Sequence, residues 1–144
     1  THARSPAIVE AYRRAFQPSK SLREPRAMIA VAAVCAPTRD EAMRIAGTRS
    51  MWIHQALARG RIIDLPSPDE VDRLLSGMSA GERAQYQQVL DHSVIGTPDD
   101  CRQQIEAQAA EYGVDEVSIV TVTYHYADRE RSYQLLAQAF GLAG

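Results

Sequence analysis

The chain has 144 residues, of which 45% are hydrophobic and 24% charged, and a formal net charge of −2. These values are typical of a globular domain and give no electrostatic argument for a nucleic-acid partner. The longest apolar run, residues 27–36, is too short to cross a bilayer, so no membrane partner is expected. The two cysteines, Cys35 and Cys101, lack the spacing of a metal or redox motif, which favours free thiols and a cytoplasmic location.

The first two elements are predicted from prolines and apolar runs. Ser5 and Pro6 begin a helix that Pro18 ends. The apolar face predicted for this helix consists of Ile8, Tyr12, Ala15 and Phe16. Residues 28–35 form a nearly continuous apolar run between two prolines, which predicts a strand buried on both faces. The alanines within this run leave a helix as the alternative.

The middle of the chain contains a long helix and an insertion. Thr38 and Glu41 have the spacing of a capping box, so a helix is predicted from there to about Gly60. An insertion over about residues 60–95 follows. Within it, a short helix is predicted at 69–75 and an amphipathic helix at 81–93.

The most informative stretch is residues 96–133. Thr97 is a good N-cap, and Gly113 stands where a left-handed C-cap belongs. A β-branched run at 117–123 follows directly, and Asp128 is predicted to cap a last helix. A helix that leads straight into a buried strand is half of a βαβ crossover, which predicts a parallel sheet.

Two predicted strands are too few for an independent sheet, because both edges stay open. The pattern therefore predicts a section of a larger α/β fold. Parallel sheets bind ligands at the carboxyl ends of their strands, which places Cys35, Thr123, Tyr124 and His125 on the ligand-facing side. His125 could act there as a proton donor or acceptor near neutral pH, and the alternative is a loop histidine bonded to the backbone.

Five segments in a fixed order together resemble the C-terminal part of the bacterial luciferase-like flavin monooxygenases. They are residues 12–19, 36–42, 95–99, 113–116 and 131–137. The match runs from about residue 2 to residue 142 and so covers nearly the whole chain. The resemblance implies that residues 1–144 are the C-terminal section of a single (β/α)8 TIM-type barrel. They would supply its last two parallel strands, their helices and the insertion.

The resemblance also implies an activity. Enzymes of this class use reduced FMN, as a co-substrate, and dioxygen to oxidise a small organic substrate. The expected partners are a flavin reductase, the remaining N-terminal portion of the barrel, and further copies in a homo-oligomer. Because the chain begins at Thr1 rather than at methionine, we expect the natural protein to be longer.

The resemblance further implies catalytic residues. The tripeptide that contains His2 is similar to a step at which a family histidine faces the active site, so His2 is a catalytic candidate together with His125. The sequence around His125 departs from the family, because close relatives tend to have Tyr-Asp-His where this chain has Tyr-His-Tyr.

The remaining candidates face the substrate or the flavin. Arg59 and Arg61 open the insertion, which is a mobile loop near the substrate mouth in related enzymes, and they could close over an anionic group. A solvated arginine loop is the alternative. Cys35 could be a flavin-facing thiol or a small packing residue. The histidines lack the spacing of a metal site, so no metal is expected.

Two classes of function remain open at this point. The first is the flavin monooxygenase, of which this chain would be the C-terminal portion. The alternative is a non-catalytic α/β assembly module related to that barrel, which functions through self-association.

Overall fold

The computed structural model of the protein describes residues 5–142. This part of the chain contains six helices and three strands, and the second, third and fourth helices follow one another without a strand between them. In chain order they are α1 (Pro6–Ala15), β1 (Met28–Cys35), α2 (Arg39–Arg59), α3 (Pro68–Ser76), α4 (Ala80–Asp91), β2 (Val94–Gly96), α5 (Pro98–Tyr112), β3 (Glu116–Val120) and α6 (Tyr126–Ala139). Within residues 5–142, no helix is both long enough and apolar enough to span a membrane.

The three strands form one parallel sheet in the order β2-β1-β3. This confirms the predicted α/β class, the parallel sheet and the strand at residues 28–35, and the helical alternative for that run is wrong. Sequence analysis missed β2, because three residues are too few to show a periodic pattern. The prediction that the last strand runs to residue 123 is also wrong, since β3 ends at Val120.

Alternate residues of β1 face two different helical layers. Val31, Ala33 and Cys35 pack against α5 and α6. Val34 on the opposite face packs against α2, and α4 packs on α2 in the same cluster. Because neighbouring residues of a strand point to opposite faces, the carboxyl half of β1 lies between two layers of helices. The amino half is more exposed, so the prediction of burial on both faces is wrong for residues 28–30.

Hydroxyl caps set most of the helix starts. Thr97 Oγ1 accepts a hydrogen bond from the Asp100 N–H, and the Asp100 carboxylate accepts one from the Thr97 N–H at 3.1 Å. The hydrogen bond from the Thr97 N–H, helped by the Thr97 side chain, holds the pKa of the Asp100 carboxyl below its usual value. The two helices predicted in the insertion are confirmed as α3 and α4, each with a reciprocal capping box. At α2 Thr38 caps the helix, but the Glu41 carboxylate lies 3.7 Å from the Arg131 guanidinium instead of completing the predicted box.

Two further details of the predicted helices are wrong. The last helix begins at Tyr126 with His125 at the N-cap position, and Asp128 lies within the first turn. The predicted apolar face of α1 is not buried, and Ile8 is 50% exposed. This helix contacts α5, and the Arg13 guanidinium donates a hydrogen bond to the carbonyl of Gly113, the residue that follows that helix.

Gly96 ends β2 at a point where the backbone passes very close to α5. A Cβ at Gly96 would lie 2.6 Å from the Asp100 Cβ, and the backbone φ of +156° is unfavourable for other residues. We therefore expect Gly96→Ala to lower the free energy of unfolding by about 1–3 kcal/mol in urea denaturation. Gly81→Ala in α4 is the matched control, because a Cβ there meets nothing within 4 Å, and it should be neutral or slightly stabilising. Equal losses in the two variants would contradict the close approach at Gly96.

Candidate functional site

One face of the sheet is open along β3 and the amino half of β1. Ala30 pairs with Ser118, and Ala32 pairs with Val120, with all four side chains on the face that α2 covers farther along β1. Val120 is 44% exposed although it stands in a strand. The opposite face of the same strands packs against α5 and α6. Met28 and Glu116 lie on this face at the amino ends of the strands, and toward the carboxyl ends the open face is a shallow surface of smaller side chains.

A small crevice of about 10 Å³, room for about one water molecule, continues this open face beneath α2. Its polar lining comes from Arg49 and Ser50 of α2 and from Ser93, which precedes β2. Its apolar lining consists of Ala32, Ala33, Val34, Ala46, Val120 and Val122. Small-molecule sites are usually concave and mostly apolar, with a few polar groups that fix orientation. The crevice and the open face together are the candidate binding surface of the described chain.

Sequence analysis did not single out Arg49, Ser50 or Ser93, because none of them belongs to a motif. One signal was available in α2. Ala42, Ala46 and Ser50 are spaced four residues apart and so lie on the same side of the helix. Ser50 is 1% exposed, so it continues the packed side of α2 with a hydroxyl in place of an apolar group.

The segment after β3 brings three predicted site residues together. Thr123 Oγ1 donates a hydrogen bond to the His125 carbonyl at 2.7 Å. The rings of Tyr124 and His125 meet edge to face, with centroids 4.9 Å apart. Both side chains are exposed, and the His125 imidazole makes no hydrogen bond to another described residue. The backbone of the segment is thus fixed while the imidazole stays accessible to a ligand, and the alternative of a backbone-bonded histidine side chain is not observed.

Cys35 does not face the ligand side, and this prediction is wrong. The residue is 1% exposed and points toward α5 and α6, because it shares the strand face of Val31. Burial raises the pKa of the Cys35 thiol, although a hydrogen bond with the Cys101 thiol opposes the shift. Burial also raises the pKa of Cys101 to about 12. Cys35 is therefore the small packing residue of the alternative interpretation.

The loop that was predicted to close over the substrate lies apart from the crevice. Arg61 is exposed and is not among the crevice-lining residues of the described chain. The Trp52 indole N–H donates to the Ile63 carbonyl at 2.9 Å, which holds this loop against α2. Arg59 ends α2, but its side chain lies outside the described residues, and so does the whole of His2.

Possible metal ligands do not gather in the described part of the chain. Within it, no group of three or more histidine, cysteine, aspartate or glutamate residues could hold a metal ion. The buried His54 packs edge to face on Tyr86, with ring centroids 6.4 Å apart, in the contact between α2 and α4.

No model of a known protein family matches the chain. It is similar to two proteins of Bacillus subtilis (strain 168), the uncharacterized protein YvbT, with 30% identity over 136 residues, and the uncharacterized protein YwcH, with 28% identity over 132 residues. The matches cover 94% and 92% of this chain but only 39% of each relative. The chain therefore spans about two fifths of the length of these curated relatives.

A solved structure is similar to nearly the whole described fold. The crystal structure of apo-MsnO8 matches with a TM-score of 0.81 and 29% sequence identity. The match covers 96% of this chain and 41% of the MsnO8 chain. The arrangement of helices and strands seen here thus also occurs as part of a longer chain.

The burial of both thiols predicts that they are unreactive in the folded protein. A thiol of pKa about 12 is ionised on the order of once in 10⁴ molecules at pH 8, and the thiolate is the reactive form. We expect a disulfide reagent such as DTNB to label Cys35 and Cys101 only after unfolding. The folded state binds the Cys101 proton more tightly than the unfolded state does. The stability that this proton binding gives the folded protein is therefore complete below about pH 9 and is lost as the pH rises toward 12. Rapid labelling of either thiol in the folded protein would contradict this prediction.

Proposed function

We propose that the protein is a flavin-dependent monooxygenase of the luciferase-like class, and that this chain is the C-terminal section of its (β/α)8 barrel. The observation that carries the proposal is the open sheet face that leads into the crevice at the carboxyl ends of β1 and β3. Barrel enzymes bind their ligands at the carboxyl ends of the strands, and further strands would turn an open face of this kind into an inner wall. The greater length of the similar proteins supports the proposal.

The open face can supply one wall for reduced FMN, which would lie on this face because the crevice, at about 10 Å³, is too small to hold it. A flat ring system needs an apolar wall without large side chains, and Ala30, Ala32 and Val120 form such a wall. Arg49 brings a positive charge to the crevice, which suits an anionic reduced flavin or its phosphate. When bound, reduced FMN supplies the electrons that activate dioxygen. The similar solved structure is an apo form, which is in keeping with a fold that binds a ligand.

In this proposal the chain's own residues orient the substrate, exclude water and move a proton. Tyr124 and His125 border the substrate, and the accessible His125 imidazole gives or takes a proton. His2 is the second catalytic candidate. The apolar side chains of Val120 and Val122 keep water away from the reacting atoms, which limits the wasteful release of peroxide.

The proposal also includes partners and a location. A flavin reductase supplies reduced FMN as a co-substrate, and the N-terminal strands of the barrel cover the open face. The enzyme works in the cytoplasm as a homo-oligomer. The free thiols of Cys35 and Cys101 support a reducing compartment.

The proposal predicts a coupling defect when the segment after β3 is changed. We expect Tyr124→Ala, His125→Ala and His2→Ala, each in the full-length enzyme, to lower the product formed per reduced FMN by about tenfold and to raise peroxide release. Reduced-FMN affinity should change less than coupling, because these side chains border the substrate.

Tyr12→Ala in α1 and His92→Ala after α4 are matched controls, because neither residue lines the crevice or the open face. They should keep wild-type coupling. If the first three variants also kept wild-type coupling, or if the full-length protein had no affinity for reduced FMN, the proposal would be wrong.

The assembly module is the second candidate function. It is favoured by the exposed Val120 and by β3, which pairs with one strand only among the described residues. Open strand edges and apolar faces bind other chains.

The intact mass of the natural protein separates the two candidates. We expect a mass of about twice the 15.9 kDa of this chain or more, because further strands must close the barrel. A natural mass of 15.9 kDa would favour the module, provided that Val120→Lys abolished self-association in sedimentation while Ile62→Lys in the insertion left it unchanged.

A further inference from the structure

The backbone pairing between β1 and β3 ends three residues before β1 itself ends. The last pair joins Ala32 to Val120, yet β1 continues to Cys35. Backbone groups of alternate residues point to the same side of a strand, so the Ala33 carbonyl and the Cys35 N–H face the side where β3 has ended. Both residues are about 1% exposed, and these groups need partners other than water.

Two side-chain hydroxyls supply these partners. Thr121 Oγ1 donates a hydrogen bond to the Ala33 carbonyl at 2.9 Å. Ser132 Oγ accepts a hydrogen bond from the Cys35 N–H, also at 2.9 Å. Thr121 and Ser132 are 2% and 0% exposed, so neither hydroxyl is replaced by water without a rearrangement. These two hydroxyls therefore take the place of the backbone groups with which a longer β3 would have paired with β1.

A third hydroxyl holds the end of β3. The Tyr133 hydroxyl accepts a hydrogen bond from the Thr121 N–H at 3.1 Å and lies 3.5 Å from the Ile119 carbonyl, to which it donates. Ser132 and Tyr133 are consecutive residues of α6, so one turn of this helix fixes the ends of two strands. We call Thr121, Ser132 and Tyr133 the strand-end clamp.

The clamp lies next to the candidate site without entering it. Residues 122–125 follow Thr121 directly and run to the N-cap of α6. The chain is therefore held at Thr121 by the clamp and at its other end by the hydrogen bond between Thr123 and the His125 carbonyl. Thr121, Ser132 and Tyr133 do not line the crevice, so they act on a ligand through the segment between these points.

We propose that the strand-end clamp is a set of positioning residues that hold Tyr124 and His125 against the substrate. The inference rests on the proposed monooxygenase function. Loosening the clamp lets residues 122–125 move, which admits water to the site and separates consumption of reduced flavin from product formation. The clamp also gives a role to Ser132 and Tyr133, two residues of the 131–137 segment that do not line the crevice.

Paired substitutions in the full-length protein test the clamp. Thr121→Val keeps the side-chain shape and removes the hydroxyl, whereas Thr121→Ser keeps the hydroxyl. Tyr133→Phe removes the Tyr133 hydroxyl at a partly exposed position. Thr48→Val is the matched control, because Thr48 is also buried and its hydroxyl donates to the Ile45 carbonyl at the same distance of 2.9 Å.

Two readouts are needed, and the first requires no flavin. Without flavin, we expect the backbone amide of residue 121, which donates to the Tyr133 hydroxyl, to exchange hydrogen about tenfold faster in Thr121→Val and Tyr133→Phe. With reduced FMN and substrate, the same variants should release about three- to tenfold more peroxide per turnover. Thr121→Ser and Thr48→Val should stay within about twofold of wild type in both measurements.

The outcomes separate this inference from the function on which it rests. If Thr121→Val exchanged no faster than Thr48→Val, or exchanged faster without releasing more peroxide, the clamp would be overturned. If the full-length protein did not bind reduced FMN while exchange of the residue 121 amide rose as expected, the proposed function would be wrong, and the role of the clamp in holding the chain at Thr121 would stand. Should Thr121→Val fail to fold, the comparison of Tyr133→Phe with Thr48→Val decides the question.

Discussion

The two-sided burial of β1 is the constraint on which the rest of the structure depends. This strand pairs with β2 on one edge and with β3 on the other, and its carboxyl half has helices on both faces. Side chains in such a position must be small and apolar, as Ala33, Val34 and Cys35 are. Every element near the candidate site takes its position from this strand. The helix α2 packs on one face, and α5 and α6 pack on the other.

The elements that sequence reasoning found are those with local signals. The strand β1 has an apolar run bounded by prolines, and α5 has Thr97 at its start and Gly113 at its end. The helices in the insertion begin with a serine followed three residues later by a glutamate. The end of β3 had no local signal, because the Ala33 carbonyl and the Tyr133 hydroxyl that hold Thr121 lie far from it along the chain. The β-branched run has the composition of a strand up to its last residue, so the sequence did not indicate that β3 ends at Val120.

Sequence reasoning also found only those parts of the candidate site that have a local signal. Residues 123–125 are adjacent in sequence, so placing one of them at the strand end placed all three. Cys35 was assigned to the wrong face, because a run that is apolar at every position gives no alternation from which to choose a side. Arg49 and Ser50 reach the crevice through the packing of α2 on the sheet, and that packing depends on contacts between distant segments. Interactions of this kind are not encoded in a short motif.

The insertion at about residues 60–95 has a structural role, because its helix α4 holds α2 in place. The helix α4 packs against α2, and a Cβ at Gly47 would lie 2.9 Å from the Tyr86 hydroxyl oxygen, so the two helices approach closely at a glycine. Burial raises the pKa of Tyr86 to about 12, which keeps this hydroxyl neutral in the contact. Gly47 stands less than one turn before Ser50, and Arg49 and Ser50 are the polar residues that α2 contributes to the crevice. By fixing α2 at Gly47, the insertion determines where those polar groups lie relative to the open face. A change in α4 would therefore alter the site from the far side of α2, without any residue of α4 itself lining the crevice.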